Sequence, residues 1–186
     1  MSRNRIIQVS SLAFLLAAFL FVVRPALAGG PAKDSDDVSK LLSQVKSEAI
    51  ELQYDTSIME SFTRSNLAWE SHSGKISQIK EHVNNLGKTL TKLNDARNTA
   101  SPWQEQAIDR ITPLMKDLAE NVSATIRRLD ENKNHLQNPE YKDYLLANHE
   151  MTTEVVNLVS DYVEYGKAKA KVERLAERLE TPSGLQ

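Results

Sequence analysis

The apolar residues between positions 35 and 179 recur at alternating steps of four and three, and this periodicity is typical of long amphipathic helices. Only three glycines and three prolines interrupt that stretch, and none of its segments alternates apolar and polar residues as a β-strand does. The sequence therefore predicts an all-α fold, an antiparallel bundle of three long helices and a shorter N-terminal helix.

Three rows of residues define the long helices, because side chains at these spacings share one helical face and need a packing partner. The rows are Ile58, Phe62, Ser65, Trp69, His72, Ile76, Ile79, Val83, Leu86, Leu90, Leu93; Ile108, Ile111, Met115, Leu118, Val122, Thr125, Leu129; and Tyr144, Asn148, Met151, Val155, Leu158, Tyr162, Tyr165. We expect the helices over about 57–97, 102–135 and 139–179.

Capping chemistry supports these boundaries. Residues 101–104 read Ser-Pro-Trp-Gln, which places Ser at the N-cap, Pro at the first helical position and Gln at the third. Asn138 followed by Pro139 provides the same arrangement, an N-cap residue and then proline, at the start of the next helix. The connections between helices are short, so that neighbouring helices are expected to be antiparallel.

The first helix has its own apolar row, which consists of Val38, Leu42, Val45, Ala49 and Leu52. The phase slips by one residue near positions 54–57, where Asp55, or Ser57 with Glu60, can cap a new helix. We therefore predict a separate helix over about 35–53 that folds back and covers half of the bundle, leaving four helices at one end and three at the other. The alternative is one continuous helix of about 60 residues, roughly 90 Å long.

Residues 1–28 resemble a secretory signal peptide. Arg3 and Arg5 precede an unbroken run of 12 apolar residues, and Ala26 and Ala28 provide the small side chains of a cleavage site. The apolar run is shorter than the roughly 20 residues of a membrane span, so we favour a cleaved signal peptide over the alternative, an uncleaved membrane anchor. We expect residues 29–34 to be a linker, residues 35–180 a single helical domain and residues 181–186 a tail, in a periplasmic or secreted protein.

Composition excludes several classes of function. The chain has no cysteine, which rules out disulfides, thiolate metal sites, iron–sulfur clusters and a lipid-modified cysteine. Removal of the first 28 residues takes away three arginines and no acid, and changes the formal charge from −2 to −5. This negative net charge lacks the excess of basic residues that is typical of nucleic-acid-binding proteins.

Polar residues within the apolar rows are the candidate site. Antiparallel pairing places His72, Thr125 or Arg127, and Asn148 or His149 at about the same height in the bundle. Two imidazoles inside a bundle can bind haem or a transition metal, with Met59 or Met151 as a further haem ligand. The structural alternative is that polar residues in a seam fix helix register and partner choice. A Glu-x-x-His motif of di-iron bundles is absent from the chain, and we predict no cofactor or metal.

Several runs resemble an uncharacterised family of exported bacterial all-helical proteins. They are residues 79–88 (IKEHVNNLGK), 93–97 (LNDAR), 101–110 (SPWQEQAIDR), 139–144 (PEYKDY) and 161–167 (DYVEYGK). That resemblance implies a location in the bacterial envelope and carries over no activity.

The sequence has no Gly-rich phosphate loop, nucleophile elbow or His-Glu-x-x-His motif, and we predict that the protein is not an enzyme. We expect an exported bundle that acts by protein–protein interaction or self-association, as a scaffold or in a chaperone-like role. One alternative is a bundle that binds a small ligand, a metal or haem. A second is a peripheral membrane-surface binder that uses the first helix; in the main interpretation only the signal peptide meets a membrane.

Overall fold

A computed structural model describes residues 33–180, and these residues form four helices. They are α1 (Asp36–Ser61), α2 (Trp69–Asp95), α3 (Pro102–Glu131) and α4 (Pro139–Glu180), with short 3₁₀ turns at Phe62–Arg64 and Arg97–Thr99. No β-strand occurs in this range, which confirms the all-α bundle. The predicted signal peptide and the 181–186 tail lie outside the described residues.

The predicted turn near residues 54–57 is wrong, because α1 continues to Ser61 and the chain reverses over residues 62–68. The apolar row of α1 extends onto Thr56 and Met59, which are 0% and 1% exposed. Asp55 does not cap a helix; its carboxylate lies 3.0 Å from the Lys75 ammonium on α2. The alternative of one continuous helix is wrong as well, since α1 and α2 are separate antiparallel helices.

The predicted taper from four helices to three is also wrong. α1 has 26 residues and α2 has 27, so that the two helices match in length. The start of α1 lies against the start of α3, where the Ser35 amide donates to Gln104 Oε1 at 3.0 Å. Its end lies against α4, where the hydroxyls of Thr56 and Thr152 are 2.8 Å apart. Four helices therefore pack along the whole bundle.

The row predicted for α2 is right only from His72 to Leu93, because Ile58 lies on α1 and Phe62 and Ser65 lie in the connection that follows it. The row predicted for α3 forms the core from Ile108 to Leu129. The row predicted for α4 is only partly right. The residues that α4 buries are Tyr141, Leu145, Asn148, Thr152, Val155, Val159 and Val163. This set differs from the predicted row because α4 packs against both α1 and α3. Its buried face is therefore rotated about the helix axis from the face that was predicted. Tyr141 is 1% exposed and is one of the largest side chains of the core.

Gln104 joins the starts of α1 and α3. Its side chain is 0% exposed, and its oxygen accepts from the amides of Ser35 and Ser101 at 3.0 and 2.9 Å. Its nitrogen donates to the Ser35 carbonyl and to the Ser39 hydroxyl, both at 2.9 Å. One buried amide thus satisfies an orphan donor at the start of α3 and fixes α1 against it.

We expect Gln104→Ala to lower the free energy of unfolding by about 2–4 kcal/mol, because it leaves several buried polar groups without partners. The matched control is Gln106→Ala, which removes an exposed side chain from the same helix turn. Chemical denaturation of both variants measures the difference. Equal and small losses for the two variants would contradict this role for Gln104.

Candidate functional site

The predicted polar layer exists, but the structure divides it into separate groups. His72 is 1% exposed, and its Nδ1 lies 2.9 Å from the Tyr141 hydroxyl. The imidazole also packs edge-on against Phe62, with ring centroids 5.0 Å apart. His72 therefore belongs to an aromatic cluster near the 62–68 turn, where α4 begins.

Asn148 belongs to a second group, a ladder of amides and hydroxyls between the helices. Its Nδ2 donates to Thr125 Oγ1 at 2.9 Å, and its Oδ1 accepts from Asn121 Nδ2 at 2.9 Å. One turn further along α4, the Thr152 hydroxyl donates to the Asn148 carbonyl and meets Thr56. Because these groups satisfy one another inside the core, they fix the register of α4 against α1 and α3.

His149 lies apart from both groups, half-buried on the outer side of α4. Its ring borders an open groove between α3 and α4, and its buried Nδ1 has no hydrogen-bond partner. No hydrogen bond or ring contact within residues 33–180 joins His149 to His72. The structure therefore does not assemble the predicted imidazole pair.

Burial accounts for the electrostatics of the aromatic cluster. It lowers the pKa of His72, since its environment disfavours the charged imidazolium. The same cause raises the pKa of the Tyr141 hydroxyl, which keeps it protonated. His72 Nε2 is buried without a partner, so that an added proton there would have no acceptor. In the 33–180 range no group of three or more His, Asp or Glu is arranged to hold a metal ion.

The α4 tail, defined as residues 171–180, is the largest departure from a closed bundle. Every residue in it is exposed, including Val172 at 66%, Leu175 at 45% and Leu179 at 86%. These three apolar side chains share one helical face, at the spacing of a packing seam. The tail therefore presents an apolar row that no part of the described chain covers.

A basic row runs along one side of this apolar row. It consists of Lys167, Lys171, Arg174 and Arg178, all exposed. Their spacing of four, three and four residues places them on one helical face. The acidic residues Glu173 and Glu180 lie on the opposite side, so that charge is segregated around the tail except at Glu177, which lies next to the basic row, three residues after Arg174.

The α3–α4 groove is a second surface feature, with a volume of about 830 Å³. Pro113, Leu114 and Leu158 provide its apolar lining. Its α4 wall carries an acidic row of three exposed carboxylates, Glu150, Glu154 and Asp161. Sequence reasoning missed this row, although the spacing of the acids was visible, because the outward face of α4 was not correctly predicted.

Trp103 holds the bundle together next to the tail. Its indole N–H donates to Asp34 Oδ1 at 2.7 Å, and the Lys169 ammonium lies 2.9 Å from the other oxygen of Asp34. The indole ring meets Tyr165 edge-on, with centroids 5.3 Å apart, and covers Gly166. These contacts fix the base of the tail to the start of α1.

No family model, curated protein or solved structure matches this chain. None of the helices in the 33–180 range is both long and apolar enough to span a membrane.

We expect the stability of the protein to fall as pH is lowered through the unfolded-state pKa of His72, about 6.5. The folded-state pKa lies below that value, so the unfolded chain binds the proton first, and stability is complete only above it. His72→Asn keeps a polar atom next to Tyr141 and removes the titration. Denaturation midpoints measured between pH 5 and 8 should show a shallower dependence for this variant. A difference between variant and parent that does not change with pH would contradict the assignment.

We expect opposite effects from two glycine substitutions. Gly87→Ala should stabilise the protein by about 0.5–1 kcal/mol, because the helix gains propensity and the new Cβ meets nothing within 4 Å. Gly166→Ala should destabilise it, because the Cβ would lie 2.7 Å from the Trp103 ring. Thermal denaturation of the two variants measures the contrast. Stabilisation by both substitutions would show that Trp103 does not pack closely on α4.

Proposed function

We propose that the protein is an exported, non-catalytic helical bundle that acts by protein–protein interaction through the α4 tail. The observation that carries this proposal is the exposed apolar row of Val172, Leu175 and Leu179 on a helix end with segregated charge. Exposure of an apolar row to water is unfavourable, and helices that carry apolar residues at the three- and four-residue spacing commonly pack on a partner. Export rests on the sequence of residues 1–28.

The other faces of the bundle support this choice of surface. The apolar row of α1, from Val38 to Met59, is buried against α2 and α4, with each apolar member at most 1% exposed. That burial uses the main apolar row of the first helix, and of its large apolar side chains Ile50, at 45%, and Tyr54, at 69%, remain exposed. The haem or metal alternative needs two imidazoles at one site. His72 packs with Tyr141 and Phe62, whereas His149 lies on the outer side of α4, so the two rings do not meet.

A small-ligand function retains one observation in its favour, at the end of the bundle opposite the tail. The loops at 62–68 and 132–138 line an open pocket of about 870 Å³. The Lys133 ammonium lies 4.3 Å from the centre of the Trp69 ring, and the buried indole N–H of Trp69 has no partner. Trp69→Phe, which keeps the ring and removes the donor, tests a ligand there by loss of co-purifying small molecules in native mass spectrometry.

The interaction proposal is tested by photocrosslinking in the cells that make the protein. A photoreactive phenylalanine replacing Leu175 should give discrete adducts of higher mass, because this side chain lies in the centre of the apolar row. The same replacement of Ser77, an exposed residue of α2, is the control. Absence of adducts at position 175, or equal adducts at both positions, would overturn the proposal.

A second variant separates binding from folding. Val172→Ser, Leu175→Ser and Leu179→Ser together should leave the melting temperature nearly unchanged, since exposed substitutions alter stability by about 0.5 kcal/mol or less. The triple variant should lose crosslinked adducts formed with a lysine-reactive reagent. Ala170→Ser, one residue before the tail, together with Glu180→Ser, in the tail but outside the apolar row, should keep them.

A further inference from the structure

Two oppositely charged rows of equal length lie on different faces of α4. The acidic row, Glu150, Glu154 and Asp161, spans 12 residues and has Asn157 in its third position. The basic row, Lys167, Lys171, Arg174 and Arg178, also spans 12 residues, about 16 Å of helix. Both rows follow the spacing four, three, four, which reads the same in either direction along the helix.

The charges of both rows are available for a partner. Within residues 33–180 no ion pair engages the three carboxylates of the acidic row or the four cations of the basic row. Arg174 donates only to the Ala170 carbonyl of its own helix. The rows cannot pair within one chain, because they lie on the same continuous helix with only five residues between Asp161 and Lys167.

The apolar surfaces next to the two rows also match. The basic row flanks Val172, Leu175 and Leu179, which need an apolar surface to cover them. The acidic row borders the α3–α4 groove, whose lining includes Pro113, Leu114 and Leu158 and, on the α3 side, the charged residues Asp109 and Arg110. Asp109 pairs with Arg97, and the Arg110 guanidinium lies over the Tyr162 ring. A helix lying in this groove would cover its apolar face and place its basic side against the carboxylates.

We propose that the α4 tail of one copy binds in the α3–α4 groove of a second copy, with the basic row of the first against the acidic row of the second. This inference rests on the proposed function and names its partner. The contact joins two different surfaces, so each copy keeps one free tail and one free groove. Such a heterologous contact produces open chains, or a ring where the rotation closes.

Charge complementarity favours this contact over pairing of two tails. Two tails packed antiparallel would place their basic rows side by side, and like charges in contact disfavour association. In the tail-to-groove contact each cation of the basic row meets a carboxylate or Asn157. Opposite rows on equal lengths of helix fix the register of the two copies as well as attract them.

Sedimentation velocity of the purified exported protein tests the inference, from micromolar to hundreds of micromolar. We expect the average sedimentation coefficient to rise with concentration. Raising the salt from ~50 mM to ~500 mM should weaken association about tenfold or more, because exposed ion pairs are screened. A monomer at every concentration in low salt overturns self-association.

Charge reversal tests the pairing of the rows. Glu150→Lys, Glu154→Lys and Asp161→Lys form the acidic-row variant, and Lys167→Glu, Lys171→Glu and Arg178→Glu form the basic-row variant. Each alone should associate at least tenfold more weakly, and an equal mixture of the two should associate again. The mixture separates recognition from misfolding, because damage to either fold would not be repaired by mixing.

The matched control reverses three exposed acids that do not line the groove, Glu81→Lys, Asp95→Lys and Asp130→Lys. This control changes net charge as the acidic-row variant does, and it should associate like the parent protein. Equal weakening by the control, or no recovery in the mixture, overturns the inference. An acidic-row variant that associates normally would indicate tail-to-tail pairing and overturns it too.

The outcomes also distinguish this inference from the proposed function. Adducts at position 175 that contain a different protein, together with a monomer in sedimentation, would refute self-association and retain the interaction through the tail. Absence of any adduct at position 175 would refute both.

Discussion

Burial of the single apolar row of α1 is the constraint on which the rest of the structure depends. The row runs from Val38 to Met59 and lies against α2 and α4 over the full length of the bundle. Because α1 occupies the fourth position throughout, the polar residues of the other helices are enclosed by it. The Thr56 hydroxyl, for example, comes from α1 and meets Thr152 in the core. Without α1 that face of α4 would lie open to water.

The same constraint determines which part of α4 is left over. α1 has 26 residues and α4 has 42, so α4 extends beyond the length that the other helices can cover. Trp103, Lys169 and Asp34 tie α4 to the bundle at the last point where the helices overlap. Beyond that point the helix keeps an apolar row with charged flanks and has no neighbour among the described residues. The proposed interaction surface is thus a consequence of unequal helix lengths.

Periodicity was enough to predict the fold class, the start of α3 and the core rows of α2 and α3, since each of those rows faces one well-defined interior. It failed at the end of α1, where Ser57 with Glu60 imitates a capping box although the apolar row continues through Thr56 and Met59. Local capping and long-range packing favoured different boundaries there, and packing decided the outcome.

The polar layer failed as a site for a related reason. Antiparallel pairing predicts heights within a bundle, and Asn148 does meet Thr125. Pairing does not predict the direction in which a side chain points around its helix. That direction places His72 against Tyr141 and His149 on the outer side of α4. The acidic row on α4 was present in the sequence, but its relation to a groove required the rotation of α4 about its axis.

Hydrogen–deuterium exchange of the α4 tail tests the central claim most directly. The account predicts that amides 171–180 exchange rapidly in the dilute monomer, because a projecting helix end frays. Their exchange should slow when the protein is concentrated in low salt, together with that of amides 150–161, while α2 is unchanged. Tail amides that exchange equally fast in the dilute and the concentrated protein would contradict the account.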